Sequence, residues 1–473
     1  MSLVQQVTHI KVRGSNEGGQ RRKLEGAPRE VRTGFRDRTA GVDYTYIDNQ
    51  GRHRVFSGRR TDMPAFVADH VLNPGLVDQE YVGLSDLAWA TQHLNALEQE
   101  HGVVSRHSKK APEPKALRWS KLPFDVNVHA PMLVAQIDRN GNWGSVPIDQ
   151  AVFPFQHLTL SPFANVFHYG QACFEGVKAY RRADGSIVIF RPDRNAARMA
   201  SSAKRLAMTP VTKEFFMDAI VAAVKANQHL VPPYGTGAAL YIRPTQIGSG
   251  EVLGVKPAGK EMFFVLVSPV GPYFKTGFKP ITLEIRLDYH RSGAGLTGCD
   301  KVAGNYAVTL LPTMETKAKG HSEILWLDVT NAMPEEAGSA NFAWVKNGEI
   351  YTRGLNCGTI LPGVTRDSNF TFAEALGIKV HEGDFHILEA LTADEAFGTG
   401  TAVVVCPVGG LAYDGRTFVL NRGKVGPVTS KLYEGVTAFQ RGDRNNPVLL
   451  EIERRNSGLL DRLEKEWIYS LAA

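Results

Sequence analysis

The run Met262-Phe263-Phe264-Val265-Leu266-Val267, followed by the polar bend Val270-Gly271-Pro272-Tyr273-Phe274-Lys275, decides how the chain is divided. A short apolar run that ends on glycine and proline reads as a strand meeting a break. Upstream lie the run Leu240-Tyr241-Ile242-Arg243 and helical patterns over Arg194 to Leu206 and Lys213 to His229. Val177 to Tyr180 and Ser186 to Phe190 flank the turn Ala183-Asp184-Gly185 as a pair of strands. Further back, Pro131 to Asp138 reads as a strand running into a hairpin turn at Arg139 to Trp143. Downstream, Ile324 to Val329 and Phe342 to Val345 have strand character, Ala307 to Lys319 is helical, and another helix opens after Leu361 and continues to Leu376. Strand-plus-helix segments on both sides of one bend predict two α/β domains, a smaller one over 117–270 and a larger one over 276–440.

The remaining residues are extensions. Residues 1–116 begin polar and rich in glycine and arginine, with Tyr44, Tyr46, Ile47 and Val55 around Asn49-Gln50-Gly51 compatible with a short hairpin. From Pro64 to His101 the pattern turns helical, with Leu87, Ala90, Leu94 and Leu97 on one face and Ser85 as a cap. Ser105 to Pro114 reads as a linker. In 441–473, Leu459, Leu460, Leu463, Trp467, Ile468 and Leu471 predict an amphipathic helix.

Of the 473 residues, 43% are hydrophobic and 22% charged, a globular composition with enough apolar surface for substantial cores. The formal charge of +6 is mild, and the basic residues are spread along the chain without a reader motif, so no nucleic acid is expected as a partner. No apolar run approaches the ~20 residues of a membrane-crossing helix. Cys173, Cys299, Cys357 and Cys406 are too widely spaced for a disulfide framework or a paired zinc motif. Reduced thiols point to the cytoplasm. The start Met1-Ser2-Leu3-Val4-Gln5-Gln6 lacks a secretory pattern, and Glu17, Glu25 and Glu30 speak against a transit peptide despite the basic residues around them.

Chemistry concentrates in the second half. Lys301, after Asp300 and before Gly304-Asn305-Tyr306, stands at a loop-to-helix junction. Such a lysine is ordinarily a solvated charge; here Tyr306 can project toward the same cavity and Gly304 lets backbone approach a ligand. Glu336, in Glu335-Glu336-Ala337-Gly338-Ser339-Ala340-Asn341, lies between two strands, where a turn residue is the ordinary reading and a partner for a protonated ring nitrogen the chemical one. Leu361-Pro362-Gly363-Val364-Thr365-Arg366-Asp367 opens a helix, so its free N–H groups and a hydroxyl suit either a structural cap or a phosphate. Gly398-Thr399-Gly400-Thr401-Ala402 imitates the start of a dinucleotide fingerprint but lacks its third glycine and its helix. A small-residue loop beside an anion is the better reading. His381 and His386 do not share a helical face, so no metal is expected.

Taken in order, Phe167-His168-Tyr169-Gly170, Phe174-Glu175-Gly176, Phe190-Arg191-Pro192-Asp193, Tyr241-Ile242-Arg243-Pro244, Lys301 to Tyr306 and Leu325-Trp326-Leu327-Asp328 resemble the branched-chain aminotransferases of PLP fold type IV. The resemblance continues through Glu336 to Asn341, Leu361 to Asp367 and Phe397 to Pro407, and covers about residues 117–440. It implies a two-domain α/β (α+β) fold type IV with an additional N-terminal extension, a barrel-like sheet in the larger domain, pyridoxal 5'-phosphate between the domains, and a homodimer. It implies reversible amino transfer between leucine, isoleucine or valine and 2-oxoglutarate. Lys301 would hold the cofactor covalently and move the substrate proton. Glu336 would contact the ring nitrogen, Tyr306 the phenolic oxygen, and Arg198, Val364, Thr365 and Thr401 the phosphate. Arg198 is preferred over Arg191 and Arg194 by its place after the Phe-Arg motif. Tyr169, Ser339 and Ala402 would lie near the substrate carboxylate, with Phe174, Tyr241 and Arg243 walling the side-chain pocket.

The chain also departs from the family. Where the mammalian relatives carry Cys-x-x-Cys after the phosphate-loop threonine, this chain has Val403 and only Cys406, so that thiol switch is expected to be absent. Phe124 to Met132 matches the early pocket motif only loosely. Two fold relatives, a D-amino-acid aminotransferase and an aminodeoxychorismate lyase, are the alternatives, disfavoured by Tyr241-Ile242-Arg243-Pro244 and the surroundings of Phe174.

Overall fold

The computed structural model describes residues 7–13, 41–47, 53–59, 117–138, 148–274 and 277–471. The chain forms two compact units, Met1–Ala116 and Leu117–Ala473. In the first, Val7–Arg13, Gly41–Ile47 and His53–Arg59 make a three-stranded antiparallel sheet in that order. The arms of the hairpin read from Tyr44 and Val55 pair there, Thr45 opposite Val55. Its Asn49-Gln50-Gly51 turn, the helix expected over 64–101, the linker and the turn after Asp138 lie outside the described residues.

The second unit holds two sheets. The first has eight strands: Ile468–Ser470, Ile187–Phe190, Val177–Arg181, Ala239–Gly248, Lys260–Val270, Met132–Asp138 and Val152–Phe153 in spatial order, with Ala172–Phe174 also on Ala239–Gly248. All its pairings are antiparallel. The helices Pro192–Arg205 and Lys213–Ala226 cover it. Their apolar residues recur at helical spacing (Ala196, Met199, Ala203; Phe216, Ala219, Ile220, Ala223) and pack on Val177, Ala179, Leu240, Ile242, Phe263 and Val265. Thr212 caps the second helix by accepting from the Phe215 N–H at 3.2 Å.

The second sheet has nine strands in the order Pro334–Ala337, Glu323–Leu327, Ile281–Ile285, Val404–Tyr413, Glu395–Gly400, Ala340–Lys346, Glu349–Arg353 and Val380–Gly383, with Arg416–Val419 on Val404–Tyr413. Because Pro334–Ala337 pairs with Ala340–Lys346 as well, six of these strands close into a barrel. A shared aromatic core ties the sheets together: Tyr180, Val188 and Phe190 of the first pack with Phe370, Phe372, Phe439 and Trp467.

Two expectations about helices are corrected. The helix expected over 307–319 runs over Leu310–Ala318 alone, after a separate short helix at Gly304–Ala307. Pro312 has no N–H to donate, so it fits only the first turn of a new helix. The C-terminal helix stops at Trp467, and Ile468–Ser470 becomes an edge strand on Ile187–Phe190, with the Leu471 N–H on the Ile187 carbonyl. Edge pairing satisfies that backbone better than another helical turn of exposed Tyr469 and Ser470.

Candidate active site

Lys301 is held by its backbone. Its N–H donates to Ser202 Oγ at 2.8 Å, its carbonyl accepts from Phe174 N–H at 3.1 Å, and Ala303 N–H donates to the Ala172 carbonyl at 2.9 Å. The side chain is half-buried, and its Nζ donates to Tyr306 Oη at 2.7 Å. The Phe174 ring lies 5.0 Å from that nitrogen and 4.9 Å from the Tyr306 ring. Arg243 covers Phe174 at 4.7 Å and donates to Tyr241 Oη at 3.3 Å. Tyr241 meets Phe124 edge-on at 5.0 Å, and Phe124 meets Tyr273 at 5.3 Å. Apolar faces with one amine and one guanidinium are suited to an aliphatic substrate with a charged end.

Next to Phe174, Glu175 is fully buried and grips Arg198 through both carboxylate oxygens, at 2.7 and 2.9 Å, while Asn195 donates to it at 2.7 Å. Arg198 Nη1 also donates to the Pro362 carbonyl at 3.0 Å. Burial pulls the guanidinium pKa down, but the charge and hydrogen bonds of Glu175 more than offset it, and the net direction is up.

Leu361 and Pro362 link this arginine to Glu336. The Glu336 Oε1 accepts from the Leu361 N–H at 2.8 Å, and its Oε2 lies 3.3 Å from Arg291 Nε. Asn341 donates to the Leu361 carbonyl at 2.8 Å. A Cβ on Gly363 would stand 2.1 Å from Asn341 Oδ1, so only glycine allows the loop this close. The helix Val364–Ala375 then starts without any side-chain cap, leaving its first N–H groups free of one. Of the two sequence readings of that stretch, the structural cap is not realised.

Val364, Thr365 and Thr401 line one small cavity together with Gly176, Lys178 and Asn195. Thr401 sits in the tight turn after Glu395–Gly400, and the buried Lys178 Nζ holds that turn by donating to the Ala402 carbonyl at 2.9 Å. Ser339 lines a second cavity with Tyr273, Ala340 and Gly398, and Ala402 lines an adjoining one, again with Tyr273. Tyr169 stands apart, at the exposed end of the Asn165–Tyr169 helix with its hydroxyl donating to the Leu253 carbonyl. Sequence reasoning missed Glu175, Lys178, Arg291 and Tyr273. Only Glu175 left a trace, as an acid set between two apolar strand runs. Among the described residues no cluster of acidic, histidine and cysteine side chains could hold a metal ion, and no helix is long and apolar enough to cross a membrane.

A lysine amine on an aromatic floor, two buried arginine–carboxylate pairs and an uncapped helix end, set between an antiparallel sheet and a barrel, define the class IV aminotransferase architecture. Residues 172–411 match the family model described as amino-transferase class IV. The chain is 47% identical to the chloroplastic branched-chain amino acid aminotransferase 2 of Humulus lupulus, over 61% of this chain and 70% of that one. It is 40% identical to the chloroplastic branched-chain-amino-acid aminotransferase 5 of Arabidopsis thaliana, over 72% and 81%. Against branched-chain-amino-acid transaminase 1 of Bacillus subtilis the identity is 37%, over 76% and 100%. The crystal structure of the T.th. branched-chain amino acid aminotransferase with pyridoxamine 5'-phosphate superposes with a TM-score of 0.57 at 28% identity, covering 69% of this chain and 97% of that one. The chain belongs to the branched-chain amino acid aminotransferase family.

Proposed function

We propose that this protein transfers the amino group reversibly between leucine, isoleucine or valine and 2-oxoglutarate, using pyridoxal 5'-phosphate held at Lys301. The observation that carries the reading is the Lys301 Nζ–Tyr306 Oη pair at 2.7 Å over the Phe174 ring. The donor set fits the cofactor. Arg198 has five N–H donors, and three hydrogen bonds, to Glu175 and Pro362, are made by it here, which leaves donors for an anion. The uncapped helix end at Val364 and Thr365, two residues beyond the Pro362 carbonyl that Arg198 grips, offers N–H groups and a positive dipole end to a cavity that Thr401 also lines. Glu336, held by Leu361 and beside Arg291, retains lone pairs for a protonated ring nitrogen, and Tyr306 Oη would face the phenolic oxygen.

When bound, the cofactor supplies the electron sink that acidifies the substrate Cα–H. Lys301 Nζ takes that proton, and Tyr306, hydrogen-bonded to it, orients the amine. Phe174, Tyr241 and Arg243 wall the aliphatic side chain, with Phe124 behind Tyr241. Ser339 and Ala402, each lining a cavity with Tyr273, would stand near the substrate carboxylate. A pocket of this apolar kind separates leucine from valine by only ~1–3 kcal/mol per methylene. We assign the enzyme to a homodimer in which Tyr169, at an exposed rim, serves a site completed by the partner. Free Cys173 and Cys406 suit a reducing compartment such as the cytoplasm.

The test is an absorbance titration of the purified protein with pyridoxal phosphate, then with leucine, together with glutamate formation from leucine and 2-oxoglutarate. A cofactor band that leucine shifts, lost in Lys301→Ala along with nearly all turnover, is the expected result. Normal turnover by Lys301→Ala overturns the reading.

A further inference from the structure

Arg191 is absorbed by none of the roles above, yet it is one of the most constrained residues in the molecule. It joins the strand Ile187–Phe190 to the helix Pro192–Arg205 with φ 48° and ψ 45°, a left-handed conformation costly for a side chain with a Cβ. Its N–H donates to the Trp467 carbonyl at 2.7 Å. The guanidinium is buried and crosses to the first turn of the helix Val364–Ala375. There Nη1 donates to Ser368 Oγ at 2.8 Å and lies 2.6 Å from Asp367 Oδ2, with the Val364 carbonyl at 3.5 Å. Its other face lies 4.3 Å from the Trp467 ring centre. Trp467 also packs parallel to Phe372 of the same helix, 5.9 Å away, and edge-on to Phe439. The last strand, Ile468–Ser470, anchors the tryptophan by pairing with Ile187–Phe190.

The turn gripped in this way is the one whose Val364 and Thr365 line the anion cavity. Asp367 lies in that first turn, and its charge opposes any phosphate bound at the helix end. Arg191 offsets it. We propose that Arg191, backed by the C-terminal Trp467, is a positioning residue for phosphate binding: it orients the first turn of Val364–Ala375 and neutralises Asp367, so the chain's C-terminal strand governs affinity for the phosphate end of the cofactor. This rests on the cofactor reading given above. A purely structural ion pair between two parts of the fold would weaken every ligand alike; a positioning role discriminates by phosphate.

The experiment compares pyridoxal phosphate with pyridoxal, which lacks the phosphate, by absorbance titration of the full-length protein freed of cofactor. Arg191→Met should weaken pyridoxal phosphate by about tenfold or more while changing pyridoxal less than about twofold, as removal of a charge-assisted contact to one end of a ligand predicts. The rise in melting temperature of the cofactor-free protein with added inorganic phosphate should be lost in the same variant. Asp367 is half-exposed, so Asp367→Asn folds even if Arg191→Met does not. It leaves the arginine charge uncompensated at the helix start, and pyridoxal phosphate should bind roughly two- to fivefold tighter, with pyridoxal unchanged. Equal changes for both ligands, or none for either, overturn the proposal while wild-type binding leaves the cofactor reading intact. Wild-type protein that binds neither ligand removes the cofactor reading and the proposal with it.

Discussion

Lys178 stands in the strand Val177–Arg181 with its amine buried, and burial first, then the nearby Arg441, pull its pKa down to about 7. In the unfolded chain the same amine titrates near ~10.4. Between those values the unfolded state binds the extra proton, so stability rises with pH across the window and is flat below it. Melting temperatures of the wild type and Lys178→Met, followed from pH 6 to 10, should show the wild type gaining on the variant above pH 7; parallel curves would contradict the burial argument. At Glu336 the prediction is a separation of effects. Glu336→Gln leaves Arg291 buried without its anion, at a cost of ~3–5 kcal/mol, and lowers turnover about 10²–10³-fold. Adding Arg291→Met should restore the melting temperature but not the turnover. Recovery of turnover in the double variant would mean that Glu336 acts only as a structural partner.

The loop that joins Glu336 to the Val364–Ala375 helix acts as one element because Leu361 and Pro362 bond to both Glu336 and Arg198. Gly363→Ala would press a methyl group to 2.1 Å from Asn341 Oδ1 and shift the helix start, so affinity for pyridoxal phosphate should fall at least about tenfold with little loss of thermal stability. An unchanged dissociation constant in the titration would show that the loop relaxes. At this scale the sequence was most legible where periodicity and punctuation agree. The strands and helices of the first sheet, and the helix after Gly363, follow from apolar spacing bounded by glycine and proline. Legibility failed where one sheet face is covered by another part of the chain. Lys178 alternates with Val177 and Ala179 as an outward charge would, and nothing local shows that the turn at Ala402 closes over it. Arg291 and Glu175 were hidden for the same reason: their partners come from distant segments, at Glu336 and Arg198. Pro312, by contrast, is a local signal in the sequence itself, a residue without an N–H that belongs in a first helical turn.

For the whole molecule the remaining question is what covers the apolar surface beyond the lysine. Val308, between the two short helices that follow Lys301, and Leu310, Leu311 and Met314, on the second of them, are all exposed, Met314 to 69%. Leu253 and Val255 are exposed to 80% and 87% beside the carbonyl that accepts from Tyr169. Scattered apolar side chains on a surface need no explanation, but four within seven residues of one segment make a patch of the kind that marks an interface. Within the helix Leu310–Ala318 the buried residues are Pro312 and Thr316, so among the described residues its outer face is left uncovered. A second copy is the occupant consistent with the homodimer assignment, since an isologous contact buries the same face twice. Leu310→Asp with Met314→Asp places two charges on that face without touching a buried side chain. Light scattering should then give half the wild-type mass at equal melting temperature of the monomeric fold. Because the segment continues directly from Tyr306, turnover should fall with the mass. A variant that stays dimeric would assign the contact to another surface, and a wild type of monomer mass would remove the dimer altogether.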